Sequence, residues 1–392
     1  MAYTPTPPAA PANSEPTRVI VVDDSPFMRD LISQIVRGEP DMRVVATAED
    51  PYDAREKIKL HSPDVVLLDI EMPRMDGLTF LEKIMRLRPM PVVMVSTLTV
   101  AGGEATIKAL SLGAVDFVSK PSAQVHPDQV EEFAADIVAK VRIAAASVPG
   151  IARRGYLNSL SPPRGTSPTL LKGTDAARAG SGLGGMGVLG ASAQNALVAI
   201  GASTGGIEAI TTVICGLPKA MPPVVIVQHL PQPFTRLFAA RLNLLCHLRV
   251  KEAEQGDVLH PGHVYIAPGN RHLRVGRGVS GYVALLGDDE PAGGHRPAAN
   301  PLFSSVAKYA GKDAVGVILS GMGADGAAGL LEMRQAGALT LGQDAGSCVV
   351  YGMPRAAWEL GAVQRQEPLN AIASAIVACL HTLDNAHASR RA

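Results

Sequence analysis

The sequence predicts an α/β protein made of two doubly wound parallel units joined by a flexible linker. In residues 18–143, short apolar runs alternate five times with longer helical patterns, and the alternation returns in residues 196–385. Residues 144–195 between them are rich in Pro, Gly, Ser, Arg and Ala without an apolar period, which is typical of a flexible linker. The remaining residues, 1–17 and 386–392, are predicted to be a disordered N-terminal tail and a C-terminal tail.

Composition argues against several classes of protein. The 392 residues contain 36 Lys plus Arg and 36 Asp plus Glu, and this charge balance argues against an extended nucleic-acid-binding face. The second unit also has no helix-turn-helix signature or basic stripe, which disfavours a DNA-binding output. The 4 cysteines are widely spaced, as expected for reduced thiols. No apolar run reaches membrane-spanning length and the N-terminus lacks signal-peptide features, so we expect a cytoplasmic protein that is not inserted into a membrane.

The first unit is predicted to be a five-stranded parallel sheet with helices on both faces. Its predicted strands are 18–22, 43–47, 65–68, 91–95 and 114–118, and its predicted helices include 26–37, 53–60, 79–86 and 103–112. Doubly wound sheets bind ligands outside the carboxyl ends of their strands, so the residues at those ends are the functional candidates.

Charged and hydroxyl side chains stand at these strand ends. Asp23 and Asp24 follow the first strand, Asp69 the third, Ser96 the fourth and Lys120 the fifth. Any one of them alone is more often a solvated loop residue. Converging carboxylates repel one another and need a cation, and oxygen ligands suit Mg²⁺. A carboxylate beside Mg²⁺ can act as nucleophile towards a phosphoryl group, so the combination predicts a phosphoryl-accepting site.

Four segments carry a resemblance to the receiver domains of two-component systems along the whole unit. They are Val21–Ser25, Leu68–Gly77, Val93–Ser96 and Val118–Pro121. The resemblance implies that Asp69 is the phosphoacceptor. It implies a Mg²⁺ ligand set of Asp23, Asp24, Asp69 and the backbone carbonyl of Glu71. It also implies that Ser96 supplies the switch hydroxyl, that Phe117 is the switch aromatic residue and that Lys120 contacts the phosphate.

The second unit contains a literal G-x-S-x-G pattern in a strand–turn–helix context. An apolar run, 197–200, stops at Gly201, passes through Ser203 and meets Gly205 and Gly206 before a helical pattern begins. Glycines on both sides leave the Ser203 hydroxyl uncrowded, which makes this serine a candidate nucleophile. The alternative is an ordinary strand–helix turn or a helix N-cap serine.

Two further strand ends supply possible partners for that serine. His229 follows the strand 224–228, and Asp325 lies in a glycine-rich turn after the strand 315–319. A lone histidine is more often a surface or hydrogen-bonded core residue, and Asp325 could be a helix cap. Together with Ser203, however, they form an acyl-transfer set, with the turn's N–H groups available to an oxyanion. The chain order Ser, His, Asp differs from that of α/β-hydrolases, so the G-x-S-x-G motif does not imply the α/β-hydrolase fold.

The whole chain resembles the chemotaxis protein-glutamate methylesterase/glutaminase (CheB) family. The matching segments are 200–206, 228–231, 234–235, 241–243, 251–254, 261–269, 295–297, 305–307, 315–329 and 347–354. The resemblance implies a Rossmann-like catalytic domain in which Ser203 is the nucleophile, His229 the base and Asp325 its partner. The Met322 N–H would be an oxyanion donor. No cofactor is expected for the esterase reaction, whereas Mg²⁺ would serve the receiver.

The resemblance also implies partners and regulation. The substrates would be methylated glutamates, and some glutamines, on the cytoplasmic helices of chemoreceptors, to whose arrays the protein would be recruited. A histidine kinase of the chemotaxis type would be the phosphodonor. The receiver would cover the active-site face until Asp69 is phosphorylated.

Two positions depart from the family pattern, and one rival function stays open. Ala324 stands where the family commonly has Asn, and Asn300 and Pro301 stand where an Asp and an apolar residue are expected. We expect activity to survive, because no triad member is affected. The rival is a response regulator whose second domain is a non-catalytic binding module. A G-x-G-x-x-G match beginning at Gly182 follows no strand and is interpreted as an accident of composition.

Overall fold

Two α/β domains, each built on a parallel sheet, make up the part of the chain that the structure describes. The computed structural model describes residues 15–97, 100–121, 127–147 and 196–391. The predicted tail up to residue 14 and the linker from 148 to 195, with its Gly182 motif, lie outside the described residues.

The first domain is a five-stranded parallel sheet in the order β2-β1-β3-β4-β5. Its elements are β1 (Thr17–Val22), α1 (Pro26–Arg37), β2 (Met42–Ala48), α2 (Pro51–His61), β3 (Val65–Asp69), α3 (Gly77–Leu87), β4 (Val92–Ser96), α4 (Val100–Ser111), β5 (Asp116–Ser119) and α5 (Pro127–Ala146). Every residue of β3 and β4 is buried, since helices cover both faces, which is why these strands are continuous apolar runs.

The second domain is a seven-stranded parallel sheet in the order β14-β13-β12-β6-β7-β9-β8 with an added antiparallel hairpin. Its elements are β6 (Leu197–Ala202), α6 (Gly206–Cys215), β7 (Val224–Gln228), α7 (Phe234–Leu245), β8 (Arg249–Glu252), β9 (His263–Ile266), the hairpin strands β10 (His272–Gly278) and β11 (Gly281–Gly287), α8 (Ala299–Tyr309), β12 (Ala314–Ile318), α9 (Ala327–Gln335), β13 (Leu339–Gln343), α10 (Met353–Glu359), β14 (Arg365–Glu367) and α11 (Leu369–Arg391).

The strand order brings distant parts of the chain to one edge of this sheet. β6 lies between β12, which pairs with it through Ala314–Ile318, and β7, which pairs with it through Val224–Gln228. All three strands run parallel, so their carboxyl ends meet at the same edge. The residues that follow them therefore become neighbours although more than a hundred residues separate the first from the last.

The last helix of each domain runs past the domain boundary that the sequence predicts. α5 continues to Ala146, and α11 continues to Arg391, so most of the stretch 386–392, set apart as a tail in the sequence analysis, is helical. Ile376, Leu380 and Leu383 of α11 are buried at helical spacing, and the packing of that face carries the helix onward. Near its end, His387 Nε2 lies 2.7 Å from Asp313 Oδ1, which ties the last turns to the domain.

Among the described residues, no helix combines the length and the apolar character needed to cross a membrane.

Candidate active site and phosphoacceptor site

Three carboxylates meet at the carboxyl edge of the first sheet, as the sequence predicts. Oxygens of Asp23, Asp24 and Asp69 all lie within 4.8 Å of one another. The Lys120 ammonium is 2.9 Å from both Asp23 Oδ2 and Asp69 Oδ1. One lysine cannot balance three carboxylates, and an all-oxygen donor set fits a hard cation such as Mg²⁺. The acidic cluster is thus typical of a Mg²⁺ site.

The environment of Asp69 makes its charged form costly. Burial and then the neighbouring Asp23 charge raise the pKa of Asp69 to about 6, although Lys120 and the Glu71 N–H oppose them. The Glu71 N–H donates to Asp69 Oδ1 at 3.4 Å. A cation bound beside this carboxylate would relieve the repulsion, which is a second reason that the cluster suits a metal ion.

Ser96 and Phe117 lie on β4 and β5, the two strands that follow β3 in the sheet. The buried Ser96 hydroxyl is 3.4 Å from the backbone oxygen of Gly102 in α4. Phe117 is buried, and its ring packs against Phe234 of the second domain with centroids 4.7 Å apart. Phe117 therefore connects the phosphoacceptor side of the first domain to the interface with the second.

Ser203 stands in a sharp turn between β6 and α6. The turn is held from both sides, since the Ser203 N–H donates to Ser320 O at 3.0 Å and Gln228 Nε2 donates to Ser203 O at 2.8 Å. The Ser320 hydroxyl donates to the next carbonyl, Thr204 O, at 2.9 Å. Sequence reasoning missed Gln228 and Ser320, although each lies directly beside a strand end that it singled out.

Glycine is required at this turn for two different reasons. Gly205 has a φ of +77°, and a Cβ there would come within 2.5 Å of Val349 Cβ. Gly321, on the neighbouring turn, has no positive φ, but its Cβ would clash with Met353 Sδ and lie 2.9 Å from Ser203 Cβ. The two glycines let three backbone segments approach the serine closely.

His229 and Asp325 come together at the ends of β7 and β12. The backbone N–H of His229 donates to Ala202 O at 3.2 Å, which places the histidine beside the residue that precedes Ser203. His229 Nε2 lies 2.8 Å from Asp325 Oδ2, and the two side chains are only 7% and 4% exposed. A carboxylate can only accept, so Nε2 carries the proton. Nδ1 of His229 is buried and has no hydrogen-bond partner among the described residues.

Asp325 is fixed by a helix as well as by the histidine. Its carboxylate accepts the N–H groups of Ala299 at 2.6 Å and Asn300 at 3.0 Å, at the N-terminus of α8. Burial raises the pKa of Asp325, but the hydrogen bond and charge of His229 and these N–H groups outweigh it and lower the pKa. Asp325 is therefore an anion that can stabilise an imidazolium.

The remaining predicted residues lie around this pair. Met322 is exposed, and its N–H donates no hydrogen bond to any residue that the structure describes. Ala324 is exposed on the same turn. Asn300 does not simply face solvent, since its Oδ1 accepts the Gly329 N–H of α9 at 2.9 Å.

The first domain packs against the turn of the second domain that carries Ser203. The Thr204 hydroxyl donates to Asp116 Oδ2 at 2.5 Å, directly beside Ser203. Gly103 of α4 lies so close to α7 that a Cβ would come within 2.7 Å of Leu237 Cδ1. A small cavity of about 30 Å³ lies here, and it is lined by Ser203 and His229 of the second domain and by Asp116 and Phe117 of the first.

An acidic cluster on one parallel sheet and a Ser, His and Asp set on another define the class of protein. It is a response regulator whose output domain has the residues of a serine hydrolase.

Comparison with known proteins identifies both domains. Residues 198–376 match the family model of the CheB methylesterase, and residues 19–129 match that of the response regulator receiver domain. A protein-glutamate methylesterase/protein-glutamine glutaminase of Paraburkholderia xenovorans is 49% identical over 366 residues, which cover 93% of this chain and 97% of the relative. Another, of Dechloromonas aromatica, is 48% identical over 361 residues, 92% of this chain and 97% of the relative. A third, of Bordetella parapertussis, is 49% identical over 361 residues, 92% of this chain and 96% of the relative.

The chain belongs to the CheB methylesterase family. The family, the fold class and the enzyme class that the sequence predicts, a methylesterase within a response regulator, are confirmed.

Proposed function

We propose that this chain hydrolyses glutamate methyl esters, and deamidates glutamines, on the cytoplasmic helices of chemoreceptors, and so resets receptor sensitivity during adaptation. The names of the relatives supply the two reactions. The observation that carries the proposal is the hydrogen bond between His229 Nε2 and Asp325 Oδ2, 2.8 Å long, at strand ends next to the turn of Ser203. We expect the reactions in the cytoplasm, where the protein is recruited to receptor arrays.

The reaction proceeds through an acyl-enzyme on Ser203. Its Oγ attacks the side-chain carbonyl of the methylated glutamate while His229 takes the hydroxyl proton. His229 returns that proton to the departing methoxide, and methanol leaves. Water, deprotonated by the same imidazole, then releases the glutamate. With glutamine the leaving group is ammonia, and every other step is the same.

The two nitrogens of His229 have different roles in this proposal. Nε2–H donates to Asp325, so Nδ1 is the nitrogen that exchanges a proton with Ser203. Nδ1 has no hydrogen-bond partner among the described residues, Ser203 included, so it is free to accept a proton but does not bond the Ser203 hydroxyl in this structure. The anionic Asp325 fixes the tautomer and stabilises the imidazolium. The Met322 N–H, which has no acceptor in the described residues, donates to the oxyanion.

The domain spanning residues 18–143 controls the domain spanning 196–385. A chemotaxis-type histidine kinase donates the phosphoryl group to Asp69, and Asp23, Asp24, Asp69 and the Glu71 carbonyl would hold Mg²⁺. When bound, Mg²⁺ neutralises charge on the phosphoryl oxygens. Lys120 pairs with the phosphoryl group, Ser96 bonds one of its oxygens, and Phe117 changes its packing. The contacts of Asp116 and Phe117 with the second domain support a resting state in which Ser203 is shielded.

Methanol release from methylated receptor membranes, with and without acetyl phosphate, tests this function. We expect release that increases with the phosphodonor, and covalent labelling of Ser203 by a fluorophosphonate probe. An absence of both methanol and label would instead support a non-catalytic binding module.

A further inference from the structure

A second histidine lies flat against the catalytic candidate His229. The ring of His295 stacks on that of His229 with centroids 3.9 Å apart and an angle of 17° between the planes. His229 therefore has two contacts of different kinds. Asp325 holds one edge of its ring through Nε2, and His295 covers one face.

A single hydrogen bond at Nε2 does not fix the plane of an imidazole. The ring can still tilt about the Nε2···Oδ2 direction, and Nδ1 moves most because it is far from the anchored atom. No described residue bonds Nδ1 and restrains it. The stacked ring of His295 blocks this tilt by van der Waals contact across the whole face.

We propose that His295 is a positioning residue that holds the His229 ring in the plane that directs Nδ1 towards Ser203. This inference rests on the proposed function, because it assigns His229 the role of base. His295 itself transfers no proton and bonds no substrate atom. It acts only through the ring that it covers.

The charge state of His295 fits this role. Burial, followed by the nearby His229, lowers the pKa of His295 to about 4, although Asp325 opposes the shift. His295 is thus neutral near pH 7. A neutral ring face attracts the imidazolium that forms on His229 during each proton transfer, whereas a charged one would repel it.

The chain segment that presents His295 is built to be rigid. The backbone of His295 exchanges two hydrogen bonds with Ala292, of 3.0 and 3.1 Å. Arg296 Nη1 donates to Asp288 O at 3.0 Å, and the Ala298 N–H donates at 3.3 Å to Nδ1 of the fully buried His272. The next residue, Ala299, donates to Asp325. One short stretch, 292–300, therefore positions both the stacked ring and the carboxylate that face His229.

The test measures turnover and nucleophile activation in the full-length protein with acetyl phosphate present. For His295→Ala we expect kcat to fall about 10- to 100-fold, as for other small displacements of reacting groups. KM should stay within about twofold, since substrate binding is not affected. The rate of fluorophosphonate labelling at Ser203 should fall in parallel with kcat. His295→Phe keeps a flat ring and should recover kcat to within about threefold of the original protein.

His263→Ala is the matched control, because it removes a half-buried histidine of the same domain at the opposite edge of the sheet, where Val264 pairs with Val224 at the start of β7. It should leave kcat unchanged. If His295→Ala fails to fold, His295→Phe is compared with His295→Gln, which keeps a polar group but loses the ring. We then expect the Phe variant to be active and the Gln variant slow.

Three results would overturn the inference: full kcat in His295→Ala, equal rates for the Phe variant and the variant without a ring, or a fall in kcat with unchanged labelling. The last would show that His295 contacts the substrate. Ser203→Ala, run in the same assay, separates this from failure of the proposed function. If Ser203→Ala keeps its activity, the function is wrong; if it is inactive while His295→Ala is not, only the positioning role is wrong.

Discussion

At the scale of single residues, the second domain brings five residues from distant parts of the chain together at one turn. Gln228 and Ser320 bond the backbone of Ser203, Gln228 at its carbonyl and Ser320 at its N–H. His229 and Asp325 are joined by a buried hydrogen bond, and His229 lines the same cavity as Ser203. None of these groups is useful alone, so their effects on the reaction should not be additive.

Ser203→Ala should lower kcat at least about 10³-fold, because the acyl-enzyme cannot form without the hydroxyl. His229→Ala should cost a similar factor, and the double variant should be little slower than either single variant. Methanol release from methylated receptor membranes measures all three. Losses that multiply in the double variant would show that the two residues do not act as a unit.

Asp325→Asn should lower kcat strongly while the protein stays folded. The amide can still accept the Ala299 N–H, but it cannot stabilise the imidazolium and can favour the wrong tautomer of His229. Kinetics should be combined with thermal unfolding of the same sample. A variant with nearly the original rate would mean that Asp325 is only the cap of α8.

The main candidate residues were predictable from sequence because each follows a recognisable apolar strand. Ser203, His229 and Asp325 needed only the rule that parallel strands end at a common edge. Gln228, Ser320 and His295 were not predictable as site residues in the same way. Their roles depend on which side chain faces which backbone after folding, and no local pattern encodes that. Which nitrogen of His229 lies against Asp325 likewise depends on tertiary geometry.

At the scale of elements, tight turns and helix ends set the geometry of the site. The turn after β6 brings Gly205 against Val349, and the N-terminus of α8 points two N–H groups at Asp325. Sequence patterns predicted β6, β7 and β12 closely, since buried parallel strands are continuous apolar runs. They did not predict the length of α11, because its last turns are polar and are held by a contact with Asp313 from a distant part of the chain.

Gly205→Ala should abolish most of the esterase activity. It adds a Cβ at a φ of +77° and 2.9 Å from the Ser320 hydroxyl that holds the turn. Gly256→Ala is the matched control, since Gly256 has a φ of +83° but nothing within 4 Å of the added Cβ. Both variants carry backbone strain of about 1 kcal/mol, so only crowding distinguishes them. Equal activities in the two variants would show that crowding at Gly205 is unimportant.

At the scale of the whole molecule, β5 of the first domain packs against the second domain close to Ser203. Asp116 and Phe117 of the first domain contact Thr204 and Phe234 of the second. Asp116 and Phe117 also line the small cavity beside Ser203. We therefore expect a receptor segment to reach Ser203 only after these contacts break.

Asp116→Ala should raise the basal esterase rate, because it removes the hydrogen bond to Thr204 that helps to close the site. Asp136→Ala is the matched control. Asp136 pairs with Lys140 at 2.9 Å, as Asp116 does at 3.8 Å, yet no contact of its own reaches the second domain among the described residues. The control should leave the basal rate unchanged. Equal basal rates in Asp116→Ala and the original protein would argue against the closing role of this bond.

Removal of residues 1–190 should also raise the basal rate, and acetyl phosphate should raise it in the full-length chain. Asp69→Ala should keep the basal rate and lose the response. A response that persists in Asp69→Ala would mean that another residue accepts the phosphoryl group. A fragment no faster than the resting protein would argue against shielding.

The aromatic pair of Phe117 and Phe234 gives the switch a dependence on temperature. Both side chains are at most 5% exposed while the domains touch, so separation transfers apolar surface into water. The cost of that transfer shrinks on cooling, because the hydrophobic effect weakens at low temperature. The unphosphorylated protein should therefore open more readily in the cold. Its basal rate, measured as a fraction of the rate with acetyl phosphate, should increase as the assay temperature falls, and a cell in cold surroundings would have a less tightly controlled enzyme.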